Sequence, residues 1–313
     1  MTRPPTTPLT TTGIPASVIG PGLRTVVEGV QHAEGVCWSA AEQVLYAGGE
    51  GGQLYRFGLE GATFETVCTV PGGSMLGLAL DGAGAVYICD VGNRCIQKIS
   101  PDGDIRQYGA EIGYPNYPVF DREGRLFVSD SGDWGRATGG IVRIDPDGTT
   151  ERVLEGLHFA NGLALHGDWL YVVESTWPRI VRIPLSGGEP EPVVVLDRAV
   201  PDGLAFDADG GLWIGCWQPN RVYRLAPDGT LGIVVDDWSG VYAPTPTNLA
   251  FAGPDLDVLV LASLGTLVVT ACDPGVHGEP LYLPGRPGLT TTRHENYGCA
   301  DVAVDQRGGR TRR

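Results

Sequence analysis

One phrase, repeated along the chain, constrains the fold more than any other feature. Its clearest copy is residues 201–224, PDGLAFDADGGLWIGCWQPNRVYR. Short apolar runs at 204–206, 212–214 and 222–225 alternate there with Asp-Ala-Asp-Gly-Gly and Gln-Pro-Asn. Runs this short between Gly, Asp, Asn and Pro clusters read as strands joined by tight turns, with no room for helices.

Copies of the phrase begin at Glu34 (EGVCW), Leu76 (LGLAL), Asn116 (NYPVF), Asn161 (NGLAL), Asp202 (DGLAF) and Thr247 (TNLAF), at intervals of 40 to 45 residues. A period near 40 with about four short strands per copy is the mark of a β-propeller, whose blades need neighbours to bury their faces. The chain is therefore expected to be all-β, a six-bladed β-propeller with four-stranded antiparallel blades. The first strand of each blade lines a central channel, so the six aligned residues should converge on its axis. Four of them, Glu34, Asn116, Asn161 and Asp202, carry hard oxygen donors of the kind that bind Ca²⁺ and, less selectively, Mg²⁺ or Mn²⁺. Asn-Gly and Asp-Gly also begin turns for purely local reasons. That accounts for Asn161 and Asp202 singly, but not for Glu34 or for the shared phase.

Six blades of this size absorb most of the 313 residues and favour one domain. Residues 1–21 are rich in Thr and Pro and are expected to be disordered or loosely ordered, with the propeller at 22–285 and a partly mobile tail at 286–313. The run LRTVVE at 23–28 is an extra strand that could complete the last blade, whose own fourth strand near 279–283 is poorly marked. Forty-seven glycines and 24 prolines alongside 42% apolar residues indicate many turns rather than disorder. A net charge of −15 argues against nucleic acid or an anionic membrane surface as partner. The seven cysteines form no CxxC pair and fall in strand-like runs, as small buried hydrophobes do in a reducing compartment. With no signal-like or membrane-spanning apolar run, a cytoplasmic protein is expected.

The stretches AEGVCW at Glu34, FANGLAL at Asn161, PDGLAFDADGGLWIGCW at Asp202 and PTNLAFAGPDLDVLVLASL around Asn248 resemble the SMP-30/gluconolactonase/luciferin-regenerating-enzyme family of six-bladed propellers. The resemblance implies a divalent metal at the channel mouth, calcium first, with magnesium, manganese or zinc as alternatives. Its ligands would be Glu34, Asn161 and Asp202, with Asn116 approaching the metal or the substrate. It also implies an ester hydrolase, a lactonase before others, in which the metal polarises the carbonyl and activates a bound water. Asp202 would handle the proton and Asn116 would stabilise the developing oxyanion. Related propellers use the same array on phosphotriesters, and isomerisation or ring closure could use the same Lewis acid. A non-enzymatic calcium-binding interaction propeller is the alternative from another class.

Family members acting on sugar lactones often have Arg two residues before the channel Asn and Asp just after it. This chain has Tyr114-Pro115-Asn116-Tyr117, which points toward a small substrate with apolar or aromatic character. The pocket is expected to include His32, Leu76, Tyr114, Tyr117, Trp134, His158, Trp177, Trp217 and Thr247. Trp134 sits on an insertion, residues 131–138, and the two histidines precede channel positions closely enough to shuttle protons. No Gly-x-Ser-x-Gly elbow surrounds Ser131, Ser175 or Ser263, which argues against a serine hydrolase.

Overall fold

The computed structural model describes residues 22–285. Among them there are 24 strands and no helix, arranged as six four-stranded antiparallel sheets. Blade 1 consists of Val36–Ser39, Val44–Gly48, Gln53–Phe57 and Phe64–Thr69, in chain order from the axis outward. The innermost strands of blades 2 to 6 are Met75–Leu80, Pro115–Phe120, Ala160–His166, Val200–Phe206 and Pro246–Ala252. The end of the channel at which these strands begin is called the mouth below, and the other end the base.

There is no single core. Six apolar clusters each lie between two adjacent blades. Leu78, Ile88 and Leu45 are among the fully buried side chains. A blade removed from the ring would expose both faces, which is why the sequence must repeat its pattern.

The ring is closed by the extra strand. Arg24–Glu28 pairs with Val268–Cys272 (Arg24 opposite Ala271, Glu28 opposite Val268) and becomes the outermost strand of blade 6. Val26 and Val27 are buried with Ala271 and Val36 between blades 6 and 1. Residues near 279–283, the poorly marked candidate for the last blade's fourth strand, form no strand of that sheet. They belong instead to a strap across the base. Gly278 N donates to Leu256 O (2.8 Å), Glu279 N to Phe206 O (2.9 Å), and Gly82 N to Pro284 O (2.7 Å), so the strap runs from blades 5 and 6 to blade 2.

Turn chemistry explains two repeated details. Asp81, Asp121 and Asp207 follow the inner strands of blades 2, 3 and 5, and each carboxylate accepts backbone N–H bonds from the residues two and four positions on. The outer Pro-Asp-Gly turns end in Gly103, Gly148 and Gly229, all at φ between 86° and 88°, where a β-carbon would be strained. Among the described cysteines all six are free; five are buried and Cys68 is half-buried. Cys299 and the segments 1–21 and 286–313 lie outside the described residues. No described helix is long and apolar enough to cross a membrane.

Closure by the first strand carries an expected outcome. Val27→Asp would place an unpaired carboxylate at a position now 1% exposed. It should cost at least about 3 kcal/mol. Urea unfolding should show a lowered midpoint, and an unchanged midpoint would mean that the strand contributes little to holding the ring together.

Candidate functional site

The geometry at the mouth begins with an irregularity shared by five blades. The inner strand's register shifts between Met75 and Leu78, Pro115 and Pro118, Ala160 and Leu163, Pro201 and Leu204, and Pro246 and Leu249. Each gap holds a channel-position residue and the one after it. One extra residue is thus inserted at the same place every time, a β-bulge that re-aims the side chain. In blade 1 the corresponding residue, Glu34, lies just ahead of the strand.

The residue after the channel position is Gly35, Gly77, Gly162 or Gly203 in four blades. A β-carbon on Gly35 would stand 2.5 Å from Leu76 O, one on Gly77 2.8 Å from Asn116 O, and one on Gly203 2.7 Å from Thr247 O. On Gly162 it would run into Asp202 O. At each of these steps the backbone of one blade touches the channel residue of the next.

Glu34, Asn116, Asn161 and Asp202 are all buried. Each carries a side-chain oxygen with no hydrogen-bond partner: Glu34 Oε2, Asn116 Oδ1, Asn161 Oδ1 and Asp202 Oδ1. Burial pushes the Asp202 carboxyl up to about 7, opposed by a hydrogen bond from Asn161. Glu34 is also raised, first by burial and then by repulsion from Asp202, against a hydrogen bond from Asn248. The two carboxylates therefore feel one another, with an amide beside each.

Most of the supporting bonds run from blade to blade, and the Ser263 bond to Pro244 stays within blade 6. Ser175 Oγ donates to Pro201 O (2.7 Å), and Asn161 Nδ2 donates to Ser175 Oγ (3.2 Å), so one hydroxyl ties Asn161 to the residue before Asp202. Ser131 Oγ donates to Ala160 O (2.7 Å) and Ser263 Oγ to Pro244 O (2.7 Å). Each of these serine hydroxyls is thus spent on a backbone carbonyl. Thr247 Oγ1 and Asn248 Nδ2 both donate to Glu34 O (2.8 and 3.2 Å), joining blade 6 to blade 1.

The other expected pocket residues divide. Tyr114, Trp134 and Trp177 keep substantial exposure at the mouth, and Trp217 is half-buried at the end of Leu212–Gln218. The His158 ring lies 5.1 Å from Trp177, over which the Arg179 guanidinium also stacks at 3.7 Å. His32 Nδ1 lies 2.7 Å from Leu264 O. A carbonyl can only accept, so Nδ1 carries the proton and a neutral His32 presents Nε2 as an acceptor. Leu76 is half-buried. Thr247 is fully buried and spends its hydroxyl on Glu34 O. Tyr117 is buried against Gly77 and borders a cavity below the mouth, because the bulge turns it away from the side that Tyr114 faces.

That cavity, about 290 Å³, occupies the lower channel down to the strap. Its walls include Val36, Leu78, Leu163, Leu204 and Leu249, each two residues beyond a channel position. The polar ring at the mouth thus sits on an apolar floor.

Two residues beyond the sequence reading belong to this geometry. Asn248 is fully buried, with Oδ1 unpartnered and Nδ2 on Glu34 O. Phe159, at φ 56°, packs against Trp134 and Tyr114. Both could have been found by extending the repeat alignment one residue after and two residues before the channel position.

The four unpartnered oxygens suit a hard divalent cation, since each is a buried acceptor with no donor to satisfy it. Among the described residues no three His, Cys, Asp or Glu side chains gather into an ion site. A cation at these four positions would rest on two carboxylates and two amides, with the unpartnered Asn248 Oδ1 as a further amide oxygen next to Thr247 in sequence.

Comparison with known proteins agrees with this architecture. The family described as SMP-30/Gluconolactonase/LRE-like region matches residues 110–265. L-arabinolactonase of Azospirillum brasilense is 31% identical over 215 residues, 62% of this chain and 67% of that protein. Pentonolactonase XacC of Haloferax volcanii is 27% identical over 258 residues, 77% and 84% of the two chains. Among solved structures, regucalcin of Agrobacterium tumefaciens, described as a calcium-binding protein, superposes with a TM-score of 0.70 at 18% identity, covering 86% of this chain and 98% of that one. The chain belongs to the SMP-30/gluconolactonase/LRE-like family.

The raised carboxyl pKa values set a pH dependence in metal-free protein. With a folded value near 7 against 3.8 unfolded, Asp202 favours the folded state while protonated. That stabilisation should fade as pH rises from about 4 through 7. Calcium added to chelator-treated protein should therefore raise the melting temperature more at pH 8 than at pH 5. An equal or smaller shift at pH 8 would contradict ionised Glu34 and Asp202 as its binding groups.

Proposed function

We propose that the protein is a divalent-metal-dependent lactonase, with calcium the first choice of metal, acting at Glu34, Asn116, Asn161 and Asp202. The observation that carries this reading is the set of four buried, unpartnered oxygens, one on each of these side chains. Relatives named pentonolactonase, 6-deoxy-6-sulfogluconolactonase and L-arabinolactonase support the reaction class. Regucalcin, a calcium-binding protein of the same fold, supports the choice of metal.

Glu34, Asn161 and Asp202 would hold the cation, with Asn116 beside it. When bound, such an ion supplies Lewis acidity toward the ester carbonyl and lowers the pKa of a water that it holds. The chain's own groups do the rest. Asp202, flanked by Asn161, accepts the proton of the attacking water, and its carboxylate must be ionised to do so. The Asn116 amide can donate a hydrogen bond to the carbonyl oxygen as negative charge develops there. Ser131, Ser175 and Ser263 are engaged with backbone carbonyls, which supports water as the nucleophile in this reading. Ser175 holds Asn161 and the Pro201 carbonyl in one position, so two members of the set move together.

The substrate in this reading is a small lactone with an apolar or aromatic portion, a preference supported by the exposed Tyr114 and Trp134 rings at the mouth.

Asp202→Asn keeps an oxygen ligand but removes the charge and the proton acceptor. Lactone hydrolysis should fall at least about a hundredfold in variant protein shown by calorimetry to retain its cation. Near-normal turnover in that cation-loaded variant would remove Asp202 from the proton transfer.

A further inference from the structure

A second set of six residues lies two positions before the channel residues, at or just ahead of the start of each inner strand: His32, Ser74, Tyr114, Phe159, Val200 and Thr245. It divides by chemistry around the mouth. Consecutive blades 3, 4 and 5 contribute Tyr114, Phe159 and Val200, while blades 6, 1 and 2 contribute the polar Thr245, His32 and Ser74; Thr245 Oγ1 already accepts Gly265 N (2.7 Å), and His32 keeps Nε2 and Ser74 its hydroxyl for a ligand.

The apolar side is built rather than loose. The Phe159 ring lies 4.7 Å from Trp134 in an edge-to-face arrangement and 5.8 Å from Tyr114. Phe159 O accepts Ser175 N (3.1 Å), and Ala160 O accepts Ser131 Oγ (2.7 Å), which fixes the backbone beneath the ring. The turn that presents Trp134 is braced by Asp133 N donating to Thr138 Oγ1 (2.8 Å) and Arg136 N donating to Asp133 O (3.1 Å). Despite these contacts Trp134 remains 58% exposed and Tyr114 37% exposed. Rigidly backed aromatic rings left open beside a polar site are the composition of a ligand pocket. Arg152 and Arg179 on this side are paired with the buried Asp130 and Glu174, while the exposed Arg136 lies 3.7 Å from the Asp133 carboxylate.

We infer that the mouth is a two-sided pocket in which the Tyr114–Phe159–Trp134 wall binds an aryl or alkyl substituent on the lactone ring, while the Thr245–His32–Ser74 side meets the ring's polar edge. The inference rests on the lactonase reading for its substrate but not for its geometry. An apolar substituent gains by leaving water against three rings, whereas the hydroxyls of a sugar lactone would lose hydrogen bonds there.

The test compares γ-phenyl-γ-butyrolactone, γ-butyrolactone and glucono-δ-lactone as substrates of calcium-loaded wild type, Trp134→Ala and Trp134→Phe. The wild type should favour the phenyl lactone by at least about tenfold in kcat/KM. Trp134→Ala should lose roughly tenfold on that substrate, mainly through KM, and less than about twofold on γ-butyrolactone, with Trp134→Phe restoring most of the loss. A wild-type preference for glucono-δ-lactone, or equal losses on both butyrolactones, would overturn the two-sided pocket. If no lactone is turned over, the lactonase reading fails separately. Calorimetric binding of the phenyl lactone then decides the pocket: affinity about tenfold weaker in Trp134→Ala supports it, and unchanged affinity or no binding to wild type overturns it.

Discussion

The whole mouth depends on how closely one blade's backbone can approach the next. At Gly35, Gly77, Gly162 and Gly203 the α-carbon rests against the channel residue of the neighbouring blade, with no space for a side chain. This contact sets how closely adjacent blades approach at the mouth. It also sets the separation of the four oxygens, because each belongs to the residue immediately before such a contact or facing it. A propeller with larger residues here would have a wider axis, and its two carboxylates would no longer influence one another as Glu34 and Asp202 do.

Holding two carboxylates together out of water opposes folding unless something compensates. The protein offsets part of this with Asn161 beside Asp202 and Asn248 beside Glu34, and leaves the remaining acceptor capacity unmet. Elsewhere it does the opposite. Asp130 and Glu174, equally buried at the ends of the second strands of blades 3 and 4, are each paired with an arginine and accept a backbone N–H. The same residue type is thus satisfied where it braces a loop and unsatisfied on the axis, and that contrast separates framework from site.

The blade count was legible because each blade must bury both faces on its neighbours, which forces the same pattern to recur at a fixed interval. The channel positions were legible from their common phase, and the structure places Glu34, Asn116, Asn161 and Asp202 as buried residues at the mouth with unpartnered oxygens. The bulge was visible only indirectly, through the glycines. That limit explains why Tyr114 and Tyr117 could not be told apart: they lie two residues before and one residue after Asn116, and only the extra residue in the strand sends one toward solvent and the other inward. Phe159 carries no oxygen donor, so the ligand pattern that marks Asn161 does not extend to it. The strap at the base carries no strand periodicity, so its path was not written in any pattern of residues 277–285.

The closing strand gives the molecule an order of assembly. Arg24 pairs with Ala271, a contact between opposite ends of the described chain, and contacts of such sequence separation form late because so much chain must be gathered first. Glu34 lies just beyond that strand, yet its carbonyl is held by Thr247 and Asn248 in the last blade. During synthesis, Asn116, Asn161 and Asp202 would be made and could be positioned while Glu34 still lacked its partners. The oxygen set becomes complete only when the circle does, so any ligand that requires all four oxygens reports a finished ring, and in binding it resists the ring's reopening.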